Sequence, residues 1–281
     1  MSGLLPFGFA TATEILFGRG QSLHSAGRIA GSGGRVLLVQ GGTAARADWL
    51  AEALLAGAAD VTRLSVAEEP DMAVIDVGVA QARDAGVQVV AALGGGAVVD
   101  AGKAIAALVP ASRPMLDHLE VVGQGLPLDH APLPFVALPT TAGTGAEVTR
   151  NAVIGVPDQG RKVSLRDARM LPRLAIVDPA LTDHCPRGVT LASGLDAPTQ
   201  GIEPFVSTRA NPLTDALCAA AIPLALADWA RDAGLPGLTG LGVTLQMRAM
   251  AARSAAASSS MKANPSKLSE ADLAAIMAEA A

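Results

Sequence analysis

The chain has 281 residues, 50% of them hydrophobic and 17% charged, with a net charge of −5. That is ample material for one large or two modest domains and excludes a disordered chain. The 21 basic residues form no block, and 2 Trp, 5 Phe and no Tyr give few stacking rings, which argues against a nucleic-acid partner.

The first two-thirds alternates strand-like and helix-like segments. RVLLVQ (35–40) is a short β-branched apolar run that stops at Gly41-Gly42. TAARADWLAEALLAGA follows with helical spacing, placing Leu50, Leu54 and Leu55 on one side. ADVTRLSV (59–66) reads as the next strand, and MAVIDVGVAQARDAG (72–86) as a helix closed by Gly86 in a C-cap role. VQVVAAL (87–93) is a buried strand running into Gly94-Gly95-Gly96, with AVVDAGKAIAALV as the helix after it. PFVALPT (134–140) and LAIVDP (174–179) are two further strands. Strands and helices joined by short turns predict a parallel sheet built from right-handed crossovers.

After about residue 183 the strand signals stop. TDALCAAAIPLALADWARDAG, TLQMRAMAARSAAASSSMK and SEADLAAIMAEAA all read as helices, the last opening on Ser269 with Asp272 at capping-box spacing. The predicted layout is an α/β Rossmann-like domain over 1–183 and an all-helical domain over 184–281. Cys185 and Cys218 form no CxxC pair, which points to a reducing cytoplasm. MSGLLPFGFATATEILFG has no Lys or Arg ahead of its apolar residues and makes a poor signal peptide. No apolar run of about 20 residues escapes Gly, Pro or charge, so no membrane span is expected.

The strongest local signal is VQVVAALGGGAVVDAGKA. A strand, three glycines and a helix start leave bare backbone N–H groups at the positive end of a helix dipole, where a phosphate is held well. The pattern is neither GxGxxG nor a P-loop, and a tight turn needing positive φ would use the same glycines. Asp100 and Lys103 fall in the first turn of that helix, beside the anion or on a solvated face. LPTTAGTGAEVTRNAVI (138–154) is a second small-residue loop after a strand, rich in hydroxyls that serve either a ligand or the turn's own caps.

These two stretches, with RKVSLRDARMLPRLAIVDPALT, SGLDAPTQGIEPFVSTRANPLTDALC and SSSMKANPSKLSEADLAAIMAEAA, resemble in order the iron-containing (group III) alcohol dehydrogenases, with the maleylacetate reductases and glycerol-type dehydrogenases as relatives. The resemblance implies hydride transfer between a nicotinamide and a small alcohol or aldehyde, beside a divalent iron or zinc. Carried over residue by residue, Gly95, Gly96 and Ala97 would cradle the pyrophosphate with Asp100 close by. Thr140, Thr141 and Thr149 would contact the cofactor, and Asn151 and Lys162 its nicotinamide-side ribose. Lys162, the expected catalytic cation, follows Arg161 and equally fits a surface role.

Two departures stand out. Where the family often carries an acid after the first strand, this chain has Gln40 and Gly41, so NADP is as open as NAD. The family's metal is held by an Asp and a His four apart and by two histidines downstream. Here Asp196 is followed by Gln200, and the histidines are His24, His118, His130 and His184, none later. Asp196 and Gln200 therefore read as a vestigial, unoccupied metal site, with Asp196 as a helix cap. Pro198 and Pro204 are expected to disturb a helix there. The resemblance further implies an internal deletion, since the NPLTDALC helix passes almost directly to DAGLPGLTGLGV. The apolar face so exposed would favour a homodimer.

Overall fold

The computed structural model describes residues 6–226, 238–240, 242–256 and 267–279. The stretch from 227 to 237, where the expected deletion falls, lies outside the described residues, as do 257–266. The chain divides into two compact units: Ala10–Thr190, and Leu191–Ala281 together with Met1–Phe9.

In chain order the first unit contains β1 (Ile15–Phe17), α1 (Ser25–Ala30), β2 (Arg35–Gly41), α2 (Asp48–Ala56), β3 (Asp60–Val66) and α3 (Met72–Asp84). There follow β4 (Val89–Gly94), α4 (Gly96–Leu108), the one-turn α5 (Met115–His118), β5 (Phe135–Pro139), β6 (Asn151–Val156), β7 (Arg161–Arg166) and β8 (Leu174–Val177). Six strands form one parallel sheet in the order β3-β2-β4-β5-β8-β1. The chain runs outward from β2 to β3, then returns to the other side of β2 to lay down β4. That makes the β2/β4 boundary the topological switch point, beyond whose carboxyl ends open α/β sheets take their ligands.

Successive side chains of a strand point to opposite faces, and here both faces are covered. Leu37, Val39, Val90 and Ala92 enter one core with α3 and α4, while Val36, Leu38, Val89 and Ala91 enter a second with α1 and α2. This is why these strands read as unbroken apolar runs. Gly86 has φ 57 and closes α3 in a Schellman motif, in which the Gly86 and Val87 N–H groups donate to the carbonyls of Arg83 and Ala82. Leu50 and Leu54 are fully buried, but Leu55 is 56% exposed. The helix turns it one step past the stripe that faces the sheet.

The sequence reading took residues 138–154 as loop; the structure begins a strand at Asn151. β6 and β7 form an antiparallel hairpin separate from the main sheet, joined by a turn at Pro157–Gln159 with Gly160 at φ 57. Ala152, Ile154, Val156, Val163 and Leu165 alternate inward to the α4 side of the core.

From Arg187 on, the regular elements among the described residues are all helices: α6 (Arg187–Val206), whose first four residues belong to the first unit, α7 (Pro212–Leu226), α8 (Leu245–Ala256) and α9 (Glu270–Glu279). α6 continues through both Pro198 and Pro204, the residues expected to disturb it. Each proline forfeits one backbone hydrogen bond, and the buried ring of Pro198 contributes packing in return. Asp196 consequently lies inside the helix and is not its cap. Ser269 and Asp272 exchange the capping-box hydrogen bonds at the start of α9.

Candidate functional site: a glycine bend facing a threonine loop

Strands β4 and β5 are neighbours, and the segments that leave their carboxyl ends meet. The Thr140 N–H donates to the Gly94 carbonyl at 3.0 Å. A methyl group built on Gly95 would lie 3.4 Å from the Thr141 side chain, and one on Gly96 3.0 Å from Thr144. The glycine bend and the Thr140–Thr149 loop are therefore two walls of one crevice, narrow enough at Gly96 that only a hydrogen fits comfortably. Gly94 is needed for a different reason, since a Cβ there would run into Val98 at 2.6 Å. None of the three has positive φ, and Gly95 sits at φ −72, ψ −175. The alternative that the bend needed left-handed backbone is thus corrected; close approach is what requires Gly94 and Gly96.

Gly95, Gly96 and Ala97 are partly exposed where α4 begins. The first turn of a helix has no intrahelical acceptor for its N–H groups, and the helix dipole adds partial positive charge. With the Thr141 and Thr144 hydroxyls opposite, this surface is equipped for an anion such as a diphosphate.

Asp100 and Lys103 lie beyond the first turn of α4, and neither is on a solvated face. The Asp100 side chain is 16% exposed and accepts from the Val153 N–H at 3.0 Å. Lys103 is 1% exposed. Its Nζ donates to the Ala146 carbonyl (2.6 Å), Thr149 Oγ1 (2.9 Å) and the Asn151 carbonyl (2.8 Å), and lies 3.7 Å from Asp100 Oδ1. Burial lowers Lys103 to about 8, with Asp100 and Glu147 pulling the other way. Burial likewise raises Asp100, against the pull of Lys103 and the Val153 N–H. Both partners move toward neutrality because a pair at this separation does not offset its own desolvation. The signal for Lys103 is a single cation, three residues after a single acid, in a helix of otherwise small and apolar residues; such a lysine is buried only when paired.

Of the other expected cofactor residues, Thr140, Thr141, Thr149 and Asn151 lie on the loop and its exit into β6. The Thr149 hydroxyl, besides accepting from Lys103, donates to the Ala146 carbonyl at 3.2 Å. Lys162 on β7 is 59% exposed, its Nζ 3.0 Å from Glu69 Oε2. Gln40, at the end of β2, is buried and donates to Ser65 Oγ while accepting from Arg63 Nε. On α6, Gln200 Nε2 donates to Asp196 Oδ1 at 3.1 Å.

Residues 12–179, more than half of the chain, match the family model described as iron-containing alcohol dehydrogenase. The chain belongs to this family. Within the family it is similar to the probable alcohol dehydrogenase EutG of Escherichia coli (strain K12), 40% identical over 156 residues that make up 56% of this chain and 38% of that protein. The chain thus matches less than half the length of this curated relative. A solved 1,3-propanediol oxidoreductase superposes with a TM-score of 0.87 over 99% of this chain and 100% of its own, at 21% identity. The sulfoacetaldehyde reductase from Bifidobacterium kashiwanohense, solved in complex with NAD+, superposes with a TM-score of 0.81 over 98% of each chain, also at 21% identity. At these identities the two structures speak for the fold.

In this member of the family the dinucleotide and the metal fare differently against the residues present. The start of α4 suits a dinucleotide, because Gly95, Gly96 and Ala97 are partly exposed there and a helix N-terminus holds a diphosphate well. For a metal, Asp196 and Gln200 alone are too few. A catalytic iron or zinc needs about three protein ligands. Among the described residues no group of three His, Cys, Asp or Glu converges on one point. Asp196 and Gln200 supply one carboxylate and an amide that already donates to it.

Proposed function

We propose that the chain is an NAD(P)-dependent oxidoreductase that moves a hydride between a nicotinamide and a small alcohol or aldehyde. The observation that carries this reading is the glycine bend opposed by Thr141 and Thr144 at the carboxyl ends of adjacent parallel strands. The family, and the NAD+ complex of a protein with this fold, support it.

When bound, the dinucleotide supplies the hydride acceptor or donor. The Gly96 and Ala97 N–H groups and the α4 dipole hold its diphosphate, and the Thr141 and Thr144 hydroxyls orient it from across the crevice. Lys162 contributes the cation that steadies the nicotinamide-side ribose and the negative charge growing on the carbonyl oxygen during reduction. Glu69 keeps the resting ammonium in place. With Gln40 spent on Arg63 and Ser65, β2 ends on no carboxylate that would repel a 2′-phosphate, so the choice between NAD and NADP stays open.

With only Asp196 and Gln200 to hold a metal, the reaction would lack a Lewis acid worth several kcal/mol, and turnover would be slower by orders of magnitude. The Gln200–Asp196 hydrogen bond favours a second reading, a nucleotide-binding protein without turnover. One experiment separates them: titrate NADH, then follow its oxidation with a panel of small aldehydes, with and without added Fe²⁺ or Zn²⁺. Binding with slow, chelator-insensitive oxidation is the expected result. Binding with no rate under any condition establishes the second reading, and a rate abolished by chelators shows that a full ligand set exists. We place the protein in the cytoplasm, supported by its free Cys185 and Cys218; among the described residues no helix is long and apolar enough to cross a membrane.

A further inference from the structure

We propose that Lys103 is the positioning residue of the crevice, the side chain by which α4 sets the threonine wall at a fixed distance from its own N-terminal bend. The inference rests on the cofactor reading above. The Thr140–Thr149 loop carries no regular structure beyond one short turn at Ala146–Val148. As it descends into β6 it turns three oxygens inward, the Ala146 carbonyl, Thr149 Oγ1 and the Asn151 carbonyl. An ammonium has three N–H donors and no acceptor. The match at Nζ is one to one, so the buried ammonium leaves none of its three donors unpaired. No neutral side chain supplies three donors from a single atom, and a guanidinium spreads its donors in a plane.

The tie has a direction. α4 begins with Gly96 and Ala97, whose N–H groups face the crevice, and holds Lys103 further along the same rigid rod. The loop it grips carries Thr141 and Thr144 to the opposite side. Asp100 adds a second strut from α4 by accepting the Val153 N–H. One helix therefore fixes both walls, the glycine bend as its own first turn and the threonine loop through Lys103.

The tie is also charged. The groups facing Nζ are Asp100 on α4, Glu147 on the short turn, and the neutral Thr149. A bound dinucleotide adds negative charge nearby and holds the ammonium in its protonated form. Because burial brings Lys103 to about 8, the free protein sheds that proton in mildly alkaline solution, and binding NADH there takes it back. Affinity for NADH should fall about tenfold between pH 7 and pH 9, if the complex keeps the proton throughout.

The test uses the full chain and NADH. In the parent, Kd is measured from pH 6.5 to 9.5, and proton uptake at pH 8 is measured by calorimetry in two buffers of different ionisation enthalpy. Lys103→Met should weaken NADH binding at least tenfold, flatten the pH profile and speed amide exchange over residues 141–147 without nucleotide. Lys103→Arg should restore part of the affinity without the alkaline limb. A parent Kd that is flat across this range, or a folded Lys103→Met protein with the parent's Kd, overturns the inference and leaves the cofactor reading standing. Failure of the parent to bind NADH at pH 7 overturns both. Should Lys103→Met not fold, the parent's pH profile and proton uptake decide alone.

Discussion

Gly95 has ordinary dihedral angles, and a Cβ there would make only a 3.4 Å contact with the Thr141 side chain, so backbone and neighbours tolerate a side chain that a bound diphosphate would not. Gly95→Asp is therefore expected to keep the fold and lose NADH binding by two orders of magnitude or more, a carboxylate standing against a diphosphate. Unchanged NADH affinity in a titration of this variant would make the bend structural only. Asp178 illustrates the opposite case, a charge used to build. Its carboxylate accepts from the N–H groups of Gly20, Ser22 and Ala180 and from the Ser22 hydroxyl, tying the end of β8 to the segment after β1. Burial alone would raise this acid; the Ser22 hydroxyl and the surrounding N–H groups outweigh it and bring it down to about 2. A carboxyl depressed by folding stabilises above its ordinary value of 3.8 and loses that contribution as the pH falls through about 2. Asp178→Ala should cost roughly 3 kcal/mol at neutral pH. Denaturant titrations of both proteins should converge as the pH drops through that window, and a constant gap would contradict the assignment.

At the scale of elements, α4 governs the architecture. It is buried from Val98 to Leu108 apart from the partly exposed Asp100, and it rests on the sheet at Gly102, where a Cβ would meet the Phe135 ring at 2.8 Å and Ala92 at 2.9 Å. Gly102→Val should cost about 1–3 kcal/mol by overpacking. NADH affinity should fall with it, since lifting α4 moves the bend; chemical denaturation and NADH titration of the same sample check both. The strands and helices from Arg35 to Leu108 were readable in advance because strands covered on both faces are continuous apolar runs stopped by glycine. The hairpin was not, although NAVIGV and RKVSLR alternate and a Pro-Asp-Gln-Gly turn separates them; hydroxyls and glycines just upstream suggested a loop. β1 spans only Ile15–Phe17, too short for any periodicity to show. In the site, the bend was legible from composition, whereas its partner wall required knowing that β4 and β5 are neighbours. Lys103 could be seen as odd but not as buried, because its three acceptors are two backbone oxygens and one hydroxyl from a distant loop.

For the molecule as a whole, the distribution of apolar surface is uneven. Leu195, Ile202, Phe205, Leu213 and Leu217 in the helical unit are all exposed. Such a concentration predicts self-association despite a net charge of −5, with the homodimer as the first species. Sedimentation velocity at two protein concentrations should show mass above 28.2 kDa that grows with concentration; a single monomer boundary at both would exclude it. The hairpin has a practical bearing on such work. Its strands are pinned by the Val153–Asp100 hydrogen bond and by bridges from Gly155 to Asp71 and from Leu165 to Leu119, while residues 157–160 at its tip are exposed. Extra chain spliced in at that tip leaves every pinned strand residue where it is. An affinity handle or a fluorescent domain grafted between Asp158 and Gln159 gives a way to capture or track the protein with both crevice walls untouched.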